Sequence, residues 1–198
     1  MSKSRGKRLV YIPEELIEQI LELRSRGESI SKFVEEAVAL AIKAGRIGLT
    51  PERVWEIIDV LYLQRVLGGA FIPQEVMNYI MEGMYKDRKD EFLKLWFESG
   101  KIHGRYLRER FNDPVKALKC FLEATRWDLN EVSIIRSENG VFRLRCISSA
   151  LSLEATEMLC HFLQGIINGF SYKIQGVEYL KGMIIVEFNP NTQQVRSS

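Results

Sequence analysis

Apolar positions recur at two different periods along this chain, and the changes of period mark its elements. In Lys7-Arg8-Leu9-Val10-Tyr11-Ile12-Pro13 the side chains alternate, which predicts a short strand, and Pro13 supplies a fixed φ suited to opening a helix. Glu14 and Glu15 follow in the first helical turn, where the helix dipole favours them. Leu16, Ile17, Ile20, Leu21 and Leu23 then recur at helical spacing until Gly27 breaks the run. Ser29 stands as the N-cap of a second helix that carries Ile30, Phe33, Val34, Ala37, Val38, Ala41 and Ile42 and ends at Gly45. From Leu49 the helices lengthen. Thr50-Pro51 opens one through Val54, Ile57, Ile58, Leu61 and Leu63, which Gly68-Gly69 ends; another starts at Pro73. A further helix runs from about Asp87 to Phe111, and Asp113-Pro114 opens a shorter one ending near Arg126.

Beyond Arg126 the period returns to two. Val132 to Arg136 and Val141 to Ile147 flank Ser137-Glu138-Asn139-Gly140, whose Asn-Gly pair is a hairpin signal. A helix from Ser152 to Asn168 follows, and strands near Tyr172 to Tyr179 and Met183 to Phe188 meet at Lys181-Gly182. The order helices, hairpin, helix, hairpin predicts an α+β domain with an antiparallel sheet packed on helices. The expected organisation is residues 1–48, connecting helices over 49–90, a domain over 91–190 and a tail over 191–198.

A strand with two helices in about 45 residues cannot bury a core alone, so the first segment predicts a dimer in which two such strands pair antiparallel. KRLVYIPEELIEQI, the turn Gly27-Glu28-Ser29-Ile30-Ser31 and the second helix closing with KAGRIG resemble the ribbon-helix-helix family of DNA-binding proteins. The resemblance implies an intertwined homodimer whose two-stranded ribbon lies in the major groove of double-stranded DNA. Val10 and Ile12 then point inward and Lys7, Leu9 and Tyr11 face the DNA. The pattern departs from the family at Leu9, which offers only apolar contact, and at Arg8, where an apolar residue is expected.

Charge adds to this reading. The chain carries a net charge of only +2, but residues 1 to 13 hold Lys3, Arg5, Lys7 and Arg8 and no acid, so phosphates can be neutralised locally. At the second helix, the backbone N–H groups of Ile30 and Ser31, with Ser29 and Lys32 beside them, form an anion site suited to a phosphate. The predicted DNA-contacting set is therefore Arg5, Lys7, Arg8, Leu9, Tyr11, Ser29, Ile30, Ser31 and Lys32. The plainer reading of the same segment is a dimerisation arm.

At 198 residues and 46% hydrophobic, the chain has room for one or two domains with a real core. No stretch approaches the roughly 20 apolar residues of a membrane span, and the N-terminus lacks an apolar signal region, which predicts a cytoplasmic protein without membrane contact. Cys120, Cys146 and Cys160 are odd in number and not closely paired, and read as small buried hydrophobes.

A second resemblance spans about 100 to 120 residues. ESGKIHGRYL at 98–107, CHFLQGIINGF at 160–170, and Val177-Glu178 with Gly182 are similar to the 4-vinyl reductase domain, whose fold is shared by Bet3-type vesicle-tethering subunits and by phenol-sensing domains of bacterial activators. Gly100 with Gly104, and Gly165 with Gly169, lie four apart on one helical face and allow another element close approach. The resemblance implies a small-molecule pocket between helices and sheet, lined here by Trp96, His103, Tyr106, Trp127 and Phe162. Some relatives add a zinc ion held by three cysteines and a glutamate. Cys160 and Glu178 occupy two of those positions, but VEYLKGMIIVEF lacks both further cysteines, so no metal and no cofactor is expected. His103 and His161 have no nucleophile or carboxylate at diagnostic spacing, and no Walker loop, GxGxxG turn or HExxH is present, which argues against an enzyme.

The sequence thus reads as a prokaryotic transcriptional regulator, a dimer or higher homo-oligomer, whose C-terminal domain senses a small apolar or aromatic ligand. The runner-up is an architectural DNA-binding protein whose C-terminal domain dimerises or recruits a protein. A third reading is an enzyme acting on a small aromatic substrate.

Overall fold

A computed structural model describes residues 9–24, 27, 29–69, 72 and 74–191. The described chain is α+β: helices α1 (Glu14–Leu23), α2 (Ile30–Arg46), α3 (Pro51–Val66), α4 (Gln74–Arg110), α5 (Pro114–Thr125) and α6 (Leu153–Gly169), with strands β1 (Glu131–Arg136), β2 (Phe142–Ile147), β3 (Tyr172–Leu180) and β4 (Met183–Pro190). It divides into two units, Met1–Trp55 and Glu56–Ser198. No described helix is long and apolar enough to cross a membrane.

In the first unit α1 and α2 form where the apolar spacing places them. The Ser29 side chain caps α2 by accepting from the Lys32 N–H at 3.1 Å, and Gly27 adopts a positive φ of 95° in the turn before it. The expected strand is not formed: Leu9 to Ile12 lie outside any sheet, and Lys7 and Arg8 lie outside the described residues. A strand needs a neighbour to satisfy its backbone N–H and C=O groups, and among the described residues no strand pairs with Leu9–Ile12. Among the described residues of this unit Ala44 alone is buried, whereas Leu16, Leu21, Val38 and Ile42 are exposed.

The second unit is built on an antiparallel sheet of order β1-β2-β4-β3. Both predicted hairpins form. Gly140 (φ 78°) and Gly182 (φ 75°) supply the left-handed positions of their turns, and the Ser137 N–H bonds the Val141 carbonyl at 2.8 Å. Leu144 and Cys146 of β2 and Ile184, Val186 and Phe188 of β4 are buried in one core with α5 and α6. Their neighbours in register, Arg143, Arg145, Ile185 and Glu187, occupy the other face, where Arg143 and Glu187 pair at 3.7 Å.

The two helices expected on either side of Asp87 meet in α4 at a kink, where Arg88 has non-helical dihedrals (φ −144°, ψ 46°). The second half of α4 packs on α6 through the four glycines. A methyl group on Gly100 would overlap the carbonyl oxygen of Phe162, on Gly104 that of Ile166, on Gly165 that of Phe97, and on Gly169 that of Lys101. Partner numbers rise together along both helices, so α4 and α6 run parallel, each setting its bare backbone against the other.

Helix α3 both buries and exposes apolar side chains, with Arg65 exposed among the latter. Val60 and Leu63 are buried, and the acids on this inner side are paired: Glu56 with Lys116 at 2.9 Å and Asp59 with Arg110 at 3.9 Å. Ile58, Leu61, Tyr62 and Val66 are exposed on the other. The first half of α4 likewise buries Met81 and exposes Val76, Tyr79, Ile80 and Met84.

Candidate functional site

The residues expected to line a ligand pocket are brought together only in part. On α4, Trp96 and His103 lie two turns apart and meet Phe162 of α6, at ring-centroid distances of 5.9 and 5.2 Å. Phe121 of α5 closes the group, 5.7 Å from His103 and 6.3 Å from Phe162, and Phe92 extends it past Trp96. The Phe92–Trp96, Trp96–Phe162 and His103–Phe162 pairs are edge-to-face, which places positive ring edges against negative faces. Tyr106 is half-buried against the core without a described ring contact to the group. Trp127 is elsewhere: it stands past the end of α5, 80% exposed, its indole N–H donating to the Ala124 carbonyl at 3.0 Å. Helix α5 ends at Thr125, so Trp127 is not carried on its buried face.

His103 carries the chemistry of this cluster. Its Nδ1 lies 2.8 Å from the Ser99 carbonyl oxygen, an acceptor, so the ring donates there and Nε2 is the acceptor of the neutral tautomer. Burial lowers its pKa below the usual histidine value, outweighing the Ser99 bond, which raises it. His161 is lowered for the same first cause. Both therefore resist protonation in the folded state while the unfolded chain takes up protons from about pH 6.5 downward. Stability should fall as pH drops through that value, and His103→Asn should remove part of the decline. Thermal unfolding between about pH 7 and 5 reads it, and identical pH dependence in the variant would contradict the assignment.

Sequence reasoning missed a second cluster. Glu157, buried on α6, accepts from the Tyr85 hydroxyl and pairs with Lys89 Nζ at 2.9 Å; Lys89 also lies over the Tyr85 ring, 4.9 Å from its centre. Burial pushes the Glu157 carboxyl up, but hydrogen bonds from Tyr85, Lys89 and Tyr179 and the Lys89 charge hold it below its ordinary value. Tyr85 and Lys89 lie on either side of the interruption at Arg88. No Pro or Gly stands between them, and their shared contact with Glu157 spans the bend.

The zinc set of the resembling family does not fit. Cys160 is fully buried on α6, and burial pushes its thiol up to about 11, disfavouring the thiolate a metal requires. Glu178 is opposite Ile185 in the sheet, whereas Val177 and Tyr179 share the helix-facing side with Val186 and Ile184. Cys160 and Glu178 are thus on opposite sides of the sheet. No group of three or more His, Cys, Asp or Glu among the described residues is arranged to hold a metal ion. A cleft of about 190 Å³ opens away from the aromatic cluster, where Glu56, Asp59, Asp113 and Lys116 flank Phe111 and Cys120.

Of the residues expected at DNA, Leu9 and Tyr11 are 91% and 94% exposed, and Arg5, Lys7 and Arg8 lie outside the described residues. At the start of α2 the cap engages the Lys32 N–H and leaves those of Ile30 and Ser31 outside it. No protein-family model matches the chain, and neither curated proteins nor solved structures give a significant match.

Proposed function

We propose that the chain is a dimeric DNA-binding regulator of ribbon-helix-helix type, with a C-terminal domain that binds a small aromatic ligand and modulates DNA affinity. The observation that carries this reading is the state of the first unit. Two amphipathic helices and an extended segment bury only Ala44 among the described residues, so their apolar faces call for a second copy. Pairing Leu9–Ile12 with the same segment of that copy satisfies its backbone and places Lys7, Leu9 and Tyr11 on one outward edge beside a basic arm. The uncapped N–H groups at Ile30 and Ser31 supply phosphate contacts on either side.

For the ligand, a neutral His103 with an Nε2 acceptor among Trp96, Phe121 and Phe162 favours an aromatic molecule bearing a hydroxyl donor. A ligand at about 100 times its dissociation constant should raise stability by roughly 2.7 kcal/mol. DNA affinity should shift by the same factor by which DNA shifts ligand affinity. Mutual ring contacts in this cluster favour the second reading, a DNA-binding protein whose C-terminal domain is a solid assembly module.

The test of DNA contact is Lys7→Ala with Tyr11→Ala, assayed against sites recovered by selection from random duplexes at fixed salt. Specific binding should weaken by about 1–3 kcal/mol for each base no longer read, with the dimer intact. Unchanged affinity would remove the ribbon from the groove, and recovery of no defined site would favour the architectural reading.

A further inference from the structure

Helix α3 is held to the rest of the second unit differently along its length. Glu56, Asp59, Val60 and Leu63 recur at i, i+3, i+4 and i+7 and so share its inner side. The later two are buried in the core, Leu63 completely, and fix that end by apolar packing. The earlier two reach α5 and the end of α4 through ion pairs, Glu56 with Lys116 at 2.9 Å and Asp59 with Arg110 at 3.9 Å. The cleft of about 190 Å³ lies at this second end: its α3 wall is Glu56, Asp59 and Val60, and its opposite wall is Phe111, Asn112, Asp113, Lys116, Ala117 and Cys120. Asp113 is already committed, its carboxylate accepting the Val115 and Lys116 N–H groups as the cap of α5. Beyond Leu63 the helix ends at Val66 and Gly68 turns the chain (φ 72°), so α3 is not continued into α4.

We propose that α3 is a lid over this cleft, anchored at Leu63 and latched at Glu56 and Asp59, which opens by rocking about the anchor while the rest of the second unit stays folded. Salt does not weaken apolar burial, whereas the two latches are ion pairs whose cations are 63% and 56% exposed, so ionic strength screens the latch and spares the anchor. Exposed pairs of this kind contribute little each, which makes the latched end the weak one, and weakly held elements open well before the whole domain unfolds. Opening uncovers the wall opposite α3 and with it Cys120, which is buried when the lid is shut. Cys146 on β2 and Cys160 on α6 do not line the cleft and are uncovered only by wider unfolding. The latched end follows directly on the first unit, which ends at Trp55, so the lid is the first element of the second unit that the chain enters.

The protein's own cysteines supply the test. The full chain is pulsed with iodoacetamide under native conditions, and alkylation at each cysteine is quantified by peptide mass spectrometry. Cys120 should react at least about tenfold faster than Cys146 and Cys160, and its rate alone should rise severalfold between about 0.05 and about 1 M KCl. Glu56→Gln with Asp59→Asn should give the fast rate already at low salt, with no further salt response. Exchanging the charges of one pair, Glu56→Lys with Lys116→Glu, should restore the slow rate. If circular dichroism shows the Glu56→Gln, Asp59→Asn variant unfolded, Asp59→Asn alone is read in its place. Alkylation of all three cysteines at one rate overturns the lid, because Cys120 is then reached only by unfolding. A parent Cys120 that reacts as fast as cysteine in a short peptide overturns it too, because the cleft is then never shut. So does a Cys120 rate that neither salt nor the neutral variant moves, a salt response that the neutral variant retains, or a charge-exchanged variant as fast as the neutral one.

Discussion

Gly104→Ala should destabilise the second unit by about 3 kcal/mol, at the upper end of what one added methyl costs a packed core. The obstacle is the carbonyl oxygen of Ile166, part of a helix backbone, so the new methyl cannot be accommodated by a rotamer change. Either α4 and α6 move apart, loosening the contacts beside all four glycines, or the methyl stays in overlap. Gly165→Ala, facing the Phe97 carbonyl from the other helix, should cost a similar amount, and the double variant less than the sum, because the first separation makes room for the second. The control is Gly83→Ala in the same helix α4, where a methyl meets nothing within 4 Å. There the change should stabilise by about 0.5–1 kcal/mol. Urea unfolding followed by circular dichroism measures all four variants. A loss below about 0.5 kcal/mol at Gly104, within the range of ordinary surface changes, would mean that the helices do not meet backbone to backbone.

Phe162→Ala should cost about 3–5 kcal/mol, the range for emptying an aromatic site in a packed core. Phe162 touches Trp96, His103 and Phe121 at once, so no single neighbour can swing in to fill the space. The resulting void is apolar with one nitrogen acceptor, and a phenol added to the variant should recover part of the lost stability. A cost near 1 kcal/mol would instead mean that the wild-type cluster already encloses a ligand-sized space, which would strengthen the sensor reading over the solid-module reading. Denaturant midpoints with and without phenol distinguish the two.

These effects differ in how visible their residues are in the sequence. The glycine pairs were legible as close-approach faces because four-residue spacing is intrinsic to a helix; their mutual pairing was not, since it depends on α4 and α6 running parallel across an intervening helix and hairpin. The hairpins were legible from Asn139-Gly140 and Lys181-Gly182, whose glycines adopt the positive φ those turns need. Glu157 was not. It resembles any solvent-facing glutamate of an amphipathic helix, and its partners stand 72 and 68 positions earlier, so nothing local signals a buried carboxylate. The interruption at Arg88 was legible only as a boundary between two helices, because no proline or glycine marks it. In the first unit, α1, α2 and the Ser29 cap were written locally, whereas a strand at 9–12 depends on hydrogen bonds that no described strand of the chain supplies.

The bend at Arg88 also gives α4 the geometry of a lever. From Arg88 back to Gln74 the helix extends about 21 Å at 1.5 Å per residue. By that length, a change of 10° in the angle at the bend would correspond to about 4 Å at the far end. The fulcrum is held by one carboxylate. A shift on the order of 1 Å where Glu157 meets Tyr85, three residues from the bend, would be multiplied severalfold at the start of α4.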